Sequence, residues 1–120
     1  MKILIVGTGY VGLVSGLCFA EFGFETLCVD KDQSRLNSIS KGICPFFEPG
    51  LDDLLVKHLN STKRFSLSNN LSESLKEANV VFITVGTPTK RLENEADLNA
   101  VYEVAKEISE NIVNYCVVVT

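Results

Sequence analysis

No apolar run in this sequence approaches the ~18 consecutive residues that a membrane-spanning helix needs, and no low-complexity tract interrupts it. Basic residues are in the minority: 11 Lys and Arg stand against 15 Asp and Glu, for a net charge of −4. That balance argues against a nucleic-acid surface and against a polybasic membrane patch. Histidine occurs once, as His58, and Cys18, Cys28, Cys44 and Cys116 are scattered without a C-x-x-C pair. Zinc-ligand spacing is absent, no metal site is expected, and the thiols read as free in a reducing cytoplasm. The opening Met1-Lys2-Ile3-Leu4-Ile5-Val6 has one basic residue and breaks at Gly7-Thr8-Gly9, too short for a signal peptide. A buried strand explains it better. What remains is ordinary globular material, 46% hydrophobic over 120 residues, enough for one core and too apolar for disorder.

Lys2 to Val6 is apolar on both parities, as a parallel strand covered on both faces would be. From Tyr10 to Phe22, Leu13, Leu17 and Ala20 recur at helical spacing, as do Val14 and Cys18, and Gly23 suits the exit. Glu25 to Val29 reads as a second strand closed by Asp30. Asp32 is placed to cap a helix through Leu36 to about Ser40. Ile43 to Gly50 carries two prolines and a glycine and reads as a loop. Leu51, Leu54, Leu55 and Leu59 resume helical spacing, with His58 expected at the surface near that helix's end. A short strand at Phe65–Leu67 follows, then a brief helix capped from Ser68-Asn69-Asn70 and running through Leu75. Val80 to Val85 is the most strand-like segment. Asp97 is expected to cap a helix bearing Leu98, Val101, Ala105, Ile108 and Ile112, and Cys116–Val119 to form a last buried strand. Strand alternating with helix throughout predicts an α/β fold: a Rossmann-like, doubly wound parallel sheet in three αβα layers. No internal repeat or linker divides it.

Gly7-Thr8-Gly9-Tyr10-Val11-Gly12 fits G-x-G-x-x-G and sits between the first strand and first helix, where a dinucleotide-binding turn belongs. Gly7 permits the tight turn, Gly9 lets backbone amides approach a pyrophosphate, and Gly12 lets helix and strand pack closely. The helix N-terminus adds unpaired N–H groups and the positive end of its dipole. Asp30 ends the second strand 18 residues after Gly12, near the ~20-residue offset of a ribose-binding acid. Its charge would repel a 2′-phosphate, so NAD is favoured over NADP, although Lys31 or Arg35 could partly offset a phosphate. The competing reading is a glycine turn in an unrelated α/β protein, with Asp30 as a helix cap. Val85-Gly86-Thr87-Pro88-Thr89 sets a hydroxyl-rich turn at the carboxyl end of a strand, where open α/β sheets bind ligands. Thr87 there could donate to ribose or phosphate, or belong to an ordinary turn. Glu48, before Pro49-Gly50, reads by itself as a solvated turn residue.

Taken together, four segments resemble the N-terminal domain of the UDP-glucose/GDP-mannose dehydrogenase family. They are Gly7 to Leu13, Cys28-Val29-Asp30 with Arg35, Phe47-Glu48-Pro49-Gly50-Leu51, and Val85 to Thr89. The wording of the last two is more similar to UDP-glucose enzymes than to UDP-N-acetylmannosamine enzymes. The resemblance implies NAD as cofactor, contacted by Gly7, Gly9, Tyr10, Val11, Gly12, Asp30, Arg35 and Thr87. Arg35 stands where lysine is common, which keeps the charge but changes the donor geometry. Phe46 and Phe47 stand where a tyrosine is common, so that hydroxyl is missing here.

The resemblance also implies the chemistry. Family members oxidise a sugar-nucleotide 6-hydroxyl to a carboxylate in two hydride transfers with two NAD, through a cysteine thiohemiacetal and thioester. A lysine and an aspartate assist, and the enzymes are dimeric and cytoplasmic. None of the three catalytic residues is matched here. Residues 1–120 are therefore expected to be the NAD-binding portion of a longer enzyme, truncated after a fifth strand, without the central helix or the domain holding most of the sugar-nucleotide site. The chain alone is expected to bind NAD without turnover, and its last strand to lie as an exposed apolar edge. Cys18, Cys28 and Cys116 are expected to be buried packing thiols. GDP-mannose or UDP-N-acetylhexosamine dehydrogenases share these motifs, and a non-catalytic NAD-sensing module is the alternative of another class.

Overall fold

Five parallel strands carry the architecture, and the computed structural model describes all of residues 1–120. In chain order the elements are β1 (Lys2–Val6), α1 (Tyr10–Glu21), β2 (Glu25–Val29), α2 (Gln33–Ser40), α3 (Leu51–Val56), β3 (Phe65–Ser68), α4 (Leu71–Ser74), β4 (Val80–Ile83), α5 (Asn99–Asn111) and β5 (Val117–Val119). The strand order is β3-β2-β1-β4-β5, with every pairing parallel. This is the Rossmann-like doubly wound sheet, reversing direction between β1 and β4. No helix is long and apolar enough to cross a membrane.

The unbroken apolar character of β1 has a direct cause. Ile3 and Ile5 project into a cluster with Leu13, Leu17, Ile39, Leu51 and Leu55, from α1, α2 and α3. Leu4 and Val6 project the other way, into a cluster with Leu71, Leu75, Val104 and Ile108 from α4, the turn after it and α5. Side chains alternate across a strand, so a strand with helices on both faces needs apolar residues at every position.

Helix ends follow their caps. Asp32 accepts from the Arg35 amide at 3.0 Å and Asn70 accepts from the Glu73 amide at 3.0 Å, starting α2 and α4. α5 departs from its expected cap: Leu98, not Asp97, holds the capping position, without a side-chain cap bond, and Asp97 one residue earlier accepts from the Asn99 amide at 3.0 Å. β4 is two residues shorter than its β-branched run suggests. The Thr84 amide still reaches the Val6 carbonyl at 2.9 Å, after which the chain leaves the sheet.

Two expectations need correcting. His58 is not a surface residue: it is completely buried, because α3 widens into a π-type turn (Lys57–Ser61) that swings the imidazole inward. There its ring nitrogens meet Glu21 Oε2 at 2.6 Å and Thr62 Oγ1 at 2.7 Å. Lys57 Nζ closes the same carboxylate at 2.8 Å, and with His58 it holds Glu21 below its ordinary pKa. The signal a sequence offers is faint, since leucine spacing says nothing about a helix that widens. Second, the last strand is short and not buried, with Val117 and Val118 each 43% exposed. β5 is the sheet's edge and has one neighbour, β4. Cys116, just before β5, is accordingly half-buried; Cys18 on α1 is also half-buried rather than buried, while Cys28 is fully buried.

An apolar edge with free backbone groups is a template for strand pairing. The chain should therefore self-associate as its concentration rises, and Val118→Lys should suppress this. Light scattering checks it: a concentration-independent monomer for the unsubstituted chain would contradict the expectation.

Candidate functional site

At the carboxyl ends of β1, β2 and β4 the sheet opens into a cleft of about 490 Å³. Its floor is the glycine loop, and α5 closes one side through Ala100, Glu103, Val104 and Glu107. Gly7 adopts φ +104°, a conformation glycine takes without penalty. Gly12 is packed so tightly that a Cβ there would run into the Gly7 carbonyl and lie 2.6 Å from Thr84 Oγ1. Gly9 is the opposite case. A Cβ added to it would meet no protein atom within 4 Å, and Gly9 lines the cleft. The bare backbone thus leaves open space beside the first turn of α1, which carries no acidic residue to occupy its positive end.

Asp30 stands across from this loop. Its Oδ2 accepts from the Thr8 amide at 2.8 Å and the Thr8 hydroxyl at 2.6 Å, with Arg35 Nη1 at 3.4 Å. Its Oδ1 accepts from the Asp32 amide at 2.9 Å. Burial on its own would push this carboxyl's pKa up, but the Thr8 and Asp32 donors and the Arg35 charge outweigh it and hold the pKa below the usual value. Asp30 is therefore an ionised acceptor, fixed in orientation, with one lone pair of Oδ1 left for a further donor.

Sequence reasoning missed the two threonines that build this geometry. Thr8 is fully buried and couples the glycine loop to Asp30. Thr84 donates to the Val6 and Gly7 carbonyls at 2.9 and 3.1 Å, coupling the same loop to β4. Thr8 occupies an x of G-x-G, a position the motif leaves free to vary, and Thr84 falls in the apolar strand run before Val85. Also unforeseen are the apolar walls Val29, Leu71 and Val104, which come from three separate elements.

Of the residues expected at the cofactor, Gly7, Gly9, Asp30 and Arg35 line the cleft. Tyr10 and Val11, 54% and 60% exposed, lie on the first turn of α1 outside the lining, and Gly12 is packed behind the loop. Thr87 is exposed on the segment after β4 and does not line the cleft. That segment folds back on itself, with Thr89 bridged to Ala96 and the Asp97 amide reaching the Pro88 carbonyl. Glu48 is not simply solvated either. Tyr10 donates its hydroxyl to Glu48 at 2.9 Å and packs its ring against Phe46, centroids 5.0 Å apart. The Glu48 carboxylate holds the Tyr10 phenol above its ordinary pKa. This contact ties the 43–50 loop to the start of α1.

The donor set suits a dinucleotide. Backbone amides and a helix N-terminus face the space a pyrophosphate would fill, and an ionised carboxylate faces the position of a ribose diol. Three of the four thiols are poor nucleophiles. Burial raises the pKa of Cys28, burial and nearby Asp52 push Cys44 up to about 12, and burial raises Cys116.

Comparison with known proteins agrees with this geometry. The model of the UDP-glucose/GDP-mannose dehydrogenase family, NAD binding domain, matches residues 1–120. The chain is 48% identical over its whole length to a UDP-glucose 6-dehydrogenase of Rhizobium meliloti, covering 27% of that protein. It is 42% identical over 98% of its length to the UDP-glucose 6-dehydrogenase TuaD of Bacillus subtilis, covering 25% of it. Among solved structures, a ternary complex of GDP-mannose dehydrogenase from Pseudomonas aeruginosa superimposes with a TM-score of 0.85 at 36% identity, over 90% of this chain and 24% of that one. The chain thus spans about a quarter of the length of each of these proteins. A glycine loop locked to an ionised Asp30 and a family match over every residue lead to one statement: this chain belongs to the UDP-glucose/GDP-mannose dehydrogenase family and is its NAD-binding domain.

Proposed function

We propose that the chain is the cofactor-holding part of a UDP-glucose 6-dehydrogenase. The observation that carries the substrate is the 48% and 42% identity to two enzymes of that name across essentially the whole chain. In this reading Gly7 and Gly9 present backbone to the pyrophosphate, and Asp30 accepts from an adenosine ribose hydroxyl. Arg35 holds Asp30 in place. Tyr10, Val11, Gly12 and Thr87 act from the rim and from behind the loop.

Bound NAD supplies a hydride acceptor for oxidation of the sugar 6-hydroxyl to a carboxylate in two steps. The protein's part is positional. The loop amides and helix dipole stabilise the diphosphate, the apolar walls exclude water from one face of the adenosine, and Asp30 selects an unphosphorylated ribose by charge. The covalent capture implied for this family needs a thiolate, and the thiols of this chain are held protonated or lie within packed elements. The chemistry at sulfur is therefore assigned to residues beyond these 120, and the chain alone to cofactor binding without turnover.

Absorbance at the NADH band tests both halves. The protein carrying this domain should form two NADH per UDP-glucose and outpace its own rate on GDP-mannose or UDP-N-acetylmannosamine. The 120-residue chain should form none. Turnover of UDP-glucose by the chain alone would sink the division of labour, and preference for another sugar nucleotide would sink the substrate.

A further inference from the structure

One end of the cleft has features that the ribose and pyrophosphate do not use. Beyond Asp30 the walls are the apolar Val29, Leu71 and Val104, and at their rim lies Asn69. Asn69 follows β3 directly, and β3 is joined to the Asp30 backbone through the Asp30 amide and the Ser68 carbonyl at 3.1 Å. An adenosine whose ribose is held by Asp30 has its base directed to this end, where apolar walls suit the faces of a purine.

The Asn69 amide has a fixed orientation. Its Nδ2 donates to Gln33 Oε1 at 2.8 Å, and Gln33 Nε2 donates in turn to Asn37 Oδ1 at 2.8 Å. Gln33 and Asn37 are one turn apart on α2, so a helix face holds the relay. One of the two Nδ2 hydrogens is engaged by Gln33, which does not line the cleft, and the Asn69 carbonyl oxygen, which only accepts, has no donor from the protein. Adenine carries an exocyclic amine, a donor; hypoxanthine carries a carbonyl at the same position, an acceptor. An oriented acceptor accordingly distinguishes the two bases.

Building on the NAD reading above, we propose that Asn69 reads the adenine amine through its side-chain carbonyl and that Gln33 is the positioning residue that keeps the amide from flipping. The site then recognises the base as adenine, in addition to recognising a dinucleotide.

The test is a calorimetric titration of the chain with NAD and with nicotinamide hypoxanthine dinucleotide, which differs only at that base. One hydrogen bond gained against one acceptor–acceptor clash should favour NAD by about tenfold. Asn69→Ala should bring the ratio close to one, mainly by weakening NAD. Gln33→Ala leaves the Asn69 side chain intact but free to turn its amine inward, so it should also shrink the ratio, chiefly by strengthening the hypoxanthine compound. A structural role for Gln33 would weaken both ligands equally and leave the ratio unmoved. Equal affinity of the unsubstituted chain for both compounds would overturn the proposal, as would a preference that survives Asn69→Ala and disappears with Glu107→Gln, which would move the acceptor to α5. Failure of the chain to bind either compound would overturn the cofactor reading, and this assignment with it.

Discussion

Gly12→Ala should unfold the glycine loop and abolish NAD binding, whereas Gly9→Ala should abolish binding and leave the fold intact. Both add one methyl group, three residues apart, and the difference lies in what each methyl meets. At position 12 it runs into the Gly7 carbonyl and crowds Thr84 Oγ1, and neither can retreat, because Gly7 is hydrogen-bonded to Val29 and Thr84 to β1. Overpacking against backbone of this kind costs about 3 kcal/mol, enough to shift a urea midpoint clearly. At position 9 the methyl meets nothing, and φ is −73°, which alanine adopts readily. Its cost falls on the ligand, since it fills space beside the helix N-terminus, and a loss of roughly 100-fold in affinity is expected when charge-assisted contacts to an anion are displaced. Urea unfolding and NAD titration of both variants check this. Equal destabilisation, or undiminished binding by Gly9→Ala, would contradict the assigned roles.

Asp30→Ala should produce the second large effect, a fall of about 30-fold in NAD affinity from the loss of one charge-assisted hydrogen bond. It should also narrow the preference for NAD over NADP. With the carboxylate gone, Arg35 loses its partner at 3.4 Å and Lys31 remains in the lining, leaving two cations for a 2′-phosphate. Thr8 would lose the acceptor for both its amide and its buried hydroxyl, so some stability should go with the affinity. Asp30→Asn, which retains one acceptor, should fall between. The pH dependence has a definite sign. A carboxyl whose folded pKa is depressed contributes stability and ribose affinity fully above its ordinary value of 3.8, losing them only as pH falls through the lower folded value. NAD affinity should therefore stay flat from neutrality down to about pH 4 as far as Asp30 is concerned.

Much of this was legible in the residues. The apolar run of β1, the caps at Asp32 and Asn70 and the alternation of strand and helix follow from local rules, and the structure obeys them. The glycine loop and Asp30 were legible because their spacing is imposed by one strand–helix–strand unit. What stayed hidden depends on contacts between distant segments. His58 is buried by a widened turn meeting the end of α1, 37 residues away in sequence. Tyr10 and Glu48 are joined by the return of the 43–50 loop, a contact 38 residues long. The valine run of β5 by itself reads as a buried strand, and its exposed edge is expected only from the family resemblance. Thr87 stands exposed after β4, outside the cleft lining, while Thr84, three residues earlier, is the hydroxyl that holds the loop.

The central claim is that the cleft between the glycine loop and Asp30 holds NAD. Side-by-side calorimetric titration of the chain with NAD and NADP tests it most directly. Saturable binding of one NAD per chain, with NADP at least tenfold weaker through repulsion from Asp30, is the predicted result. A chain that binds neither dinucleotide, or that binds NADP the more tightly, would contradict it.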